Sequence, residues 1–216
     1  MTTSATLRES TLNQLYDWIA PGYNAVDRLG CRILLGIDLR REQAAIIDSL
    51  GIPRGSSILE VSPGAGAGQP PRARAVGPEG RITGLDLSSG MLKACARNTA
   101  RQVPRPRLVH GNAAAMPFPG ADFDAVFHFG GIRLFAEPDR AMQEFVRVVK
   151  PGGLIAVGDE GFGPGVDRRQ WRSRILAWTN PGFVRPEPAL PRGAALQARR
   201  WVYAEHAFLW VLRRDG

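Results

Sequence analysis

From residue 54 onward, short apolar runs alternate with segments of helical period, a pattern that predicts an α/β fold with a mostly parallel sheet. Residues 57–61 (Ser-Ile-Leu-Glu-Val) read as the first strand, 81–86 as the second, 107–110 as the third, 123–129 as the fourth and 154–158 as the fifth. Between the last two, Met142, Phe145, Val146 and Val149 recur at the spacing of one buried helical face. Pro138 suits the first turn of that helix, and Lys150-Pro151-Gly152-Gly153 supplies the cation, proline and glycines that stop it.

The flanks differ in character. Residues 10–50 read as helices broken at Pro21-Gly22, with Leu39, Ile46, Ile47 and Leu50 as an apolar stripe and Gly51 in the C-capping position. After the fifth strand, Gly161-Phe162-Gly163-Pro164-Gly165 predicts a flexible loop, and 167–179 a helix with Trp171, Ile175 and Trp178 on one side. The Pro- and Gly-rich stretch 181–194 predicts an irregular loop. Two β-rich runs, 199–204 and 206–212, read as a closing hairpin that brings the strand count to seven.

Composition narrows the class. The chain has 216 residues, 44% hydrophobic and 22% charged, enough to bury a sizeable core. No apolar run approaches the roughly 18 residues needed to cross a bilayer, and Met1 to Glu9 lacks the apolar centre of a signal peptide, so a cytoplasmic location is expected. Cys31 and Cys95 stand far apart at no metal-binding spacing and are expected to be reduced thiols, with no metal site. The net charge of +8 raises nucleic acid as a partner. However, 26 of the 28 basic residues are arginine, the excess is split between 51–110 and 151–216, and no run of five or six like charges occurs. A nucleic-acid partner is therefore not expected.

The most informative stretch runs Ile58-Leu59-Glu60-Val61-Ser62-Pro63-Gly64-Ala65-Gly66-Ala67-Gly68. A glycine-rich turn after a first strand lets the backbone approach a ligand, with the next helix pointing its N-terminus at it. Asp86 ends the second strand, where a carboxylate accepts the hydroxyls of a ribose in nucleotide-binding sheets. The dinucleotide spacing fails, because the third glycine falls at Gln69. Glu60 is awkward beside a pyrophosphate and suits a cofactor with an ammonium and no phosphate, which is S-adenosylmethionine. The alternative is a structural turn with a solvated Glu60.

Five segments in order carry a resemblance. They are Leu59 to Gly66; Gly84-Leu85-Asp86-Leu87-Ser88-Ser89-Gly90-Met91-Leu92; Gly111-Asn112-Ala113-Ala114-Ala115-Met116-Pro117-Phe118 with Phe123 to Val126; Arg147 to Gly153; and Tyr16 to Asn24. In these the chain resembles the class I S-adenosylmethionine-dependent methyltransferases, in particular the ubiquinone/menaquinone-biosynthesis type, over roughly residues 12–216. The resemblance implies a Rossmann-like, mostly parallel seven-stranded sheet with helices on both faces and an N-terminal helical lid. Residues 1–50 would form the lid and lead-in helix, and 51–216 the core, with a substrate-side insert at about 161–195. It further implies that Glu60 faces the methionine end, with Ser62, Gly64 and Gly66 beneath it. Asp86 would hold the ribose, Met91 or Leu87 pack on adenine, and Asn112 and Ala113 read its edge. Tyr16 and Tyr23 would line the sulfonium, unless they are ordinary packing of a surface helix.

The match has departures. Ser62 replaces the first loop glycine, Asn112 an expected acid, and Gln69-Pro70-Pro71-Arg72 an apolar first helical turn. Because proline is tolerated only in the first turn, the helix should start at or after Gln69 and be short before Gly77. Methyl transfer to carbon or oxygen also needs a base. His128 is the first candidate, as base or cofactor-side orienter, followed by Asp159 and Glu160 just past the fifth strand. His110 reads as structural, and His206 is a weak candidate. The loop after the fourth strand, His128 to Arg133, lacks the Asn/Asp-Pro-Pro-aromatic pattern of nucleobase and amide methylation. Phe162, Trp171, Trp178 and Phe183 with Arg168, Arg169, Arg172 and Arg174 would form an acceptor wall, or else two tryptophans pack their helix down and the arginines are solvated. The expected function is methylation of a small aromatic, quinone-like or polyketide-like metabolite, with S-adenosylhomocysteine as product and a homodimer allowed. The alternatives are a non-methylating reaction such as a cyclisation on the same fold, and a binding module using the basic surface.

Overall fold

The computed structural model describes residues 14–180, 183 and 186–216. Helix α1 (14–19) is followed by α2 (Tyr23–Gly30), a π-helical turn (Cys31–Leu35) and α3 (Leu39–Ser49). The alternating part then runs β1 (Ser57–Val61), α4 (Gln69–Val76), β2 (Arg81–Asp86), α5 (Ser89–Asn98), β3 (Arg107–His110), β4 (Phe123–Phe129), α6 (Pro138–Val148) and β5 (Val149–Glu160). Helix α7 (Trp171–Thr179) and the hairpin β6 (Ala194–Val202) and β7 (Ala207–Arg214) complete it. The seven strands lie in the order β3-β2-β1-β4-β5-β7-β6. All neighbours are parallel except β7, which runs antiparallel to both β5 and β6.

Strand alternation builds a core on each face. Leu59, Val61, Ile155 and Val157 meet Met142, Phe145 and Val146 of α6 on one side. Ile58, Leu154 and Ala156 meet Ile46 and Ile47 of α3 and Val76 of α4 on the other. The β1–β4 neighbourhood is where strand order reverses, and such a reversal opens a crevice beyond the carboxyl ends of the strands. Asp38 caps α3 by accepting from the backbone N–H of Arg40 and Arg41, and Gly51 takes the left-handed conformation (φ 61°) just past its end.

Helix α4 begins at Gln69 with its prolines in the first turn, and ends at Gly77, as the proline argument requires. Three details differ from the sequence reading. Strand β5 starts at Val149 rather than 154, because Lys150-Pro151-Gly152-Gly153 is accommodated as a bulge opposite Asp124, where Lys150 Nζ donates to Asp124 Oδ1 at 2.7 Å. The hairpin strands are longer and meet at a turn in which Tyr203, Ala204 and Glu205 all have positive φ. Helix α7 starts at Trp171, not 167. The expected irregular loop at 181–194 falls partly outside the described residues, as does the first part of the expected lid.

Candidate active site

Beyond the carboxyl ends of β1, β2 and β4 lies a cavity of about 410 Å³. The β1–α4 turn forms its floor. Ser62, Gly64 and Gly66 have φ of 55°, 54° and 83°, so the turn needs three left-handed residues, one of them not glycine. A Cβ on Gly66 would stand 2.9 Å from Cys95 Sγ, so this glycine also sets the approach of the turn to α5.

Asp86, the last residue of β2, is buried at the cavity wall. Its carboxylate accepts from the backbone N–H of Gly64 at 3.1 Å and of Ser88 at 2.9 Å. Burial raises its pKa above the ordinary value, and these backbone donors oppose the rise. With only backbone donors on its two oxygens, the carboxylate retains lone pairs for hydroxyls. Ser88 Oγ caps α5 by accepting from Met91 N–H and donates to Asp17. Asp17 also accepts from Gly90 N–H at 2.7 Å, which ties α1 to the start of α5. Leu87, Met91, Asn112 and Ala113 border the same end of the cavity, and Asn112 Oδ1 accepts from Ala114 N–H at 2.7 Å.

Glu60 behaves differently. It is buried, and Arg72 reaches it from the first turn of α4 at 3.1 Å while Gln69 Nε2 donates to its other oxygen. Arg72 also donates to Gly68 O at 2.6 Å and lies over the Phe127 ring, leaving its buried Nε unpartnered. Burial raises the Glu60 pKa, with Arg72 pulling against it. The sequence marks Arg72 as a departure but does not show that it pairs with Glu60. Nearby, Asn24 Nδ2 donates to Ala65 O at 2.9 Å, and its buried Oδ1 is an unpartnered acceptor on the wall.

Tyr16 and Tyr23 both border the cavity, edge to face with ring centroids 6.1 Å apart. Burial, reinforced by Glu160, Asp159, Asp86 and Asp27, pushes Tyr16 up to about 12. Tyr23 is raised well above its ordinary value, also chiefly by burial. Both phenols stay protonated in a space surrounded by carboxylates. Cys31 and Cys95 are pushed up to about 12 by burial, so neither is a reactive thiolate.

The three catalytic candidates separate. Glu160 borders the cavity, and burial together with Asp159 raises its pKa well above the carboxylate range. Asp159 points elsewhere: it accepts from the backbone N–H groups of Gly131, Arg133 and Glu160 and holds the turn after β4, with its own pKa lowered against the pull of burial. His128 is not on the cavity. Its ring packs 5.1 Å from Phe135 and 6.1 Å from Phe145, on the α6 face of the sheet, and Nδ1 bonds Val61 O at 3.0 Å. The next residue, Phe129, faces the cavity instead, as strand parity dictates. Burial lowers the His128 pKa, so the ring is neutral. His110 is bonded to Leu87 O, while His206 does border the cavity, which its position in a hairpin turn did not signal. Of the expected acceptor wall, Phe183 borders the cavity with Leu176 and Thr179 of α7. Trp171 and Trp178 are turned outward and exposed.

The residues fit S-adenosylmethionine. Asp86 offers acceptors for the ribose hydroxyls, the orphaned Asn24 Oδ1 offers one for an ammonium, and the surrounding carboxylates favour a sulfonium cation. At the Glu60 end, Arg72 already occupies the carboxylate, and its buried Nε has no partner.

Residues 59–157 match the family described as a methyltransferase domain. A demethylmenaquinone methyltransferase of Listeria monocytogenes is 31% identical over 153 residues, covering 70% of this chain and 63% of that protein. The ubiquinone/menaquinone biosynthesis C-methyltransferase UbiE of Hahella chejuensis is 32% identical over 155 residues, covering 70% of this chain and 60% of that protein. The chain thus spans less than two thirds of the length of these relatives. Among solved structures, a SAM-dependent methyltransferase from Aquifex aeolicus aligns at TM-score 0.63 and 17% identity, covering 80% of this chain and 89% of the other. The 4+2 cyclase SpnF aligns at TM-score 0.64 and 18% identity, covering 94% and 95%; at that identity the likeness is one of fold. The curated relatives are methyltransferases and do not favour the cyclisation alternative. Residues 59–157 thus match a methyltransferase domain within a sheet of the matching topology, and the chain resembles the menaquinone- and ubiquinone-biosynthesis methyltransferases.

Proposed function

We propose that this chain transfers a methyl group from S-adenosylmethionine to a ring carbon of a small quinone-like aromatic, releasing S-adenosylhomocysteine. The observation that carries this reading is Asp86, a buried carboxylate held by backbone N–H groups at the edge of the cavity, inside the matched domain. The names of the curated relatives support the quinone-like acceptor. When bound, the cofactor supplies an electrophilic methyl group on a sulfonium.

In this reading Asp86 accepts the ribose hydroxyls, Leu87 and Met91 pack against adenine, and Asn112 and Ala113 meet its edge. The backbone of Ser62, Gly64 and Gly66 lies beneath. Asn24 and Glu60 take the ammonium, Arg72 the carboxylate, and the Tyr16 and Tyr23 rings the sulfonium. Glu160 removes the proton from the acceptor hydroxyl, the ring carbon then takes the methyl as its bond to sulfur breaks, and the ring C–H proton leaves to solvent as aromaticity returns. Asp159 positions the turn after β4 and keeps the Glu160 pKa high. His128 has no assigned step. The segment up to residue 50 acts as the lid over the core, and the setting is the cytoplasm, with a small-molecule acceptor rather than nucleic acid.

The test is incubation with methyl-labelled S-adenosylmethionine and a prenylated demethyl-naphthoquinol. Label should appear in the quinol fraction, and Asp86→Ala should abolish it. A folded protein that binds S-adenosylhomocysteine yet labels neither this acceptor nor other quinols would overturn the proposal.

A further inference from the structure

Eight of the eleven large apolar side chains that stand exposed among the described residues lie on two stretches of chain. One is the N-terminal pair of helices with its π-turn, where Val26, Leu29 and Ile33 recur at one-face spacing beside Trp18, which is 80% exposed. The other is α7, where Trp171, Ile175 and Trp178 form the outward stripe and Trp178 is 85% exposed. The inner sides of both stretches wall the cavity: Tyr16, Tyr23 and Leu34 from the first, Leu176 and Thr179 from the second. The apolar surface is therefore gathered on the roof of the candidate site.

Its charge is mainly basic. Arg168, Arg169, Arg172 and Arg174 are exposed around α7, against the single acid Asp167 between residues 165 and 180, and Arg32 is exposed beside Ile33. Of the acids on the N-terminal stretch, Asp17 is exposed and stays ionised through its bonds to Ser88 and Gly90, and Asp27 is part-buried at the cavity wall, so these acids reduce the basic excess without reversing it. Arg172 lies over the Trp171 ring at 5.4 Å, so cation and indole present together. Exposed tryptophans beside arginines suit the headgroup level of a bilayer, where rings enter the interface and guanidinium groups meet phosphates. No helix of the described residues is long and apolar enough to cross a membrane.

We propose that the face formed by α1, α2 and α7 docks on an anionic lipid surface, seating the roof of the cavity at the membrane interface. Entry of a lipid-dissolved quinol between these helices rests on the function proposed above; the docking itself does not.

The experiment is co-sedimentation of the full chain with vesicles of equal parts phosphatidylglycerol and phosphatidylcholine, and with phosphatidylcholine alone. The anionic vesicles should be bound, less so as salt rises, with a blue shift in tryptophan emission. Trp171→Ser with Trp178→Ser should remove the shift and most of the binding. Arg168→Gln, Arg169→Gln and Arg172→Gln should each lower affinity about fivefold. Melting and S-adenosylhomocysteine titration in the same variants report folding and the pocket separately, so failure of docking and failure of the methyltransferase reading are distinct results. A folded chain that ignores anionic vesicles at low salt would overturn the docking. So would a homodimer in sedimentation equilibrium that Trp178→Ser converts to monomer while the wild type leaves vesicles untouched.

Discussion

The two acidic ends of the cavity solve the same problem in opposite ways. Asp86 and Glu60 are both buried strand-end carboxylates, and burial raises the pKa of each. Asp86 is held by the backbone N–H groups of Gly64 and Ser88 and forms no ion pair among the described residues. Glu60 is neutralised from within by Arg72 and Gln69. A buried carboxylate needs a partner. Where the chain withholds one, the fold has left a place for a ligand; where the chain supplies one, a ligand must share or displace it. The Asp86 end is thus preformed, and the Glu60 end carries an internal counter-ion.

The sharpest way to break this comparison is Arg72→Leu, which strands Glu60 without a cation and should cost about 3–5 kcal/mol of stability in chemical denaturation. Adding Glu60→Gln should restore most of it. A neutral single variant would mean the pair does not form. Glu160 borders the same cavity, and in the proposed reaction Glu160→Gln should lower kcat by roughly 10²–10⁴-fold with little change in cofactor affinity. The base works unprotonated and its pKa is raised, so wild-type kcat/KM should climb with pH above the ordinary carboxylate range, a limb the variant loses.

The same variant carries a stability sign. A raised folded-state pKa gives stability that is complete below the ordinary value of 4.5 and is lost as pH rises through the raised one. Glutamine removes that loss. Glu160→Gln should melt with the wild type at pH 4.5 and above it at alkaline pH. Asp86→Ala removes two charge-assisted bonds to a ribose and should weaken S-adenosylhomocysteine about a hundredfold, while Asp86→Asn should fall between the two. The smallest effect is expected at the floor: Ser62 holds a φ of 55°, so Ser62→Gly should add about 0.5–1 kcal/mol by relieving the left-handed strain.

Much of the geometry around Asp86 was legible because it is local. The apolar runs define β1 and β2, the glycines define the turn, Asp86 sits at a strand end, and Pro70-Pro71 sets where α4 begins. The Glu60 end depends on a tertiary fact, that the first turn of α4 brings Arg72 back onto the end of β1, and no spacing in the sequence announces it. His128 illustrates a parity problem: one residue in a strand decides between cavity and core, and His128 and Phe129 are adjacent. Trp171, Ile175 and Trp178 were readable as a stripe, but a stripe has the same period whether it faces a core or water. Breaker residues misled too, since Lys150-Pro151-Gly152-Gly153 stops α6 yet runs on as a bulged part of β5.

The most direct test of the account is calorimetric titration of cofactor-free protein with S-adenosylhomocysteine, for the wild type and for Asp86→Ala. Binding by the wild type and a loss of about a hundredfold in the variant, with both melting as folded proteins, is the predicted result. A folded wild type that does not bind, or a variant that binds equally well, would contradict it.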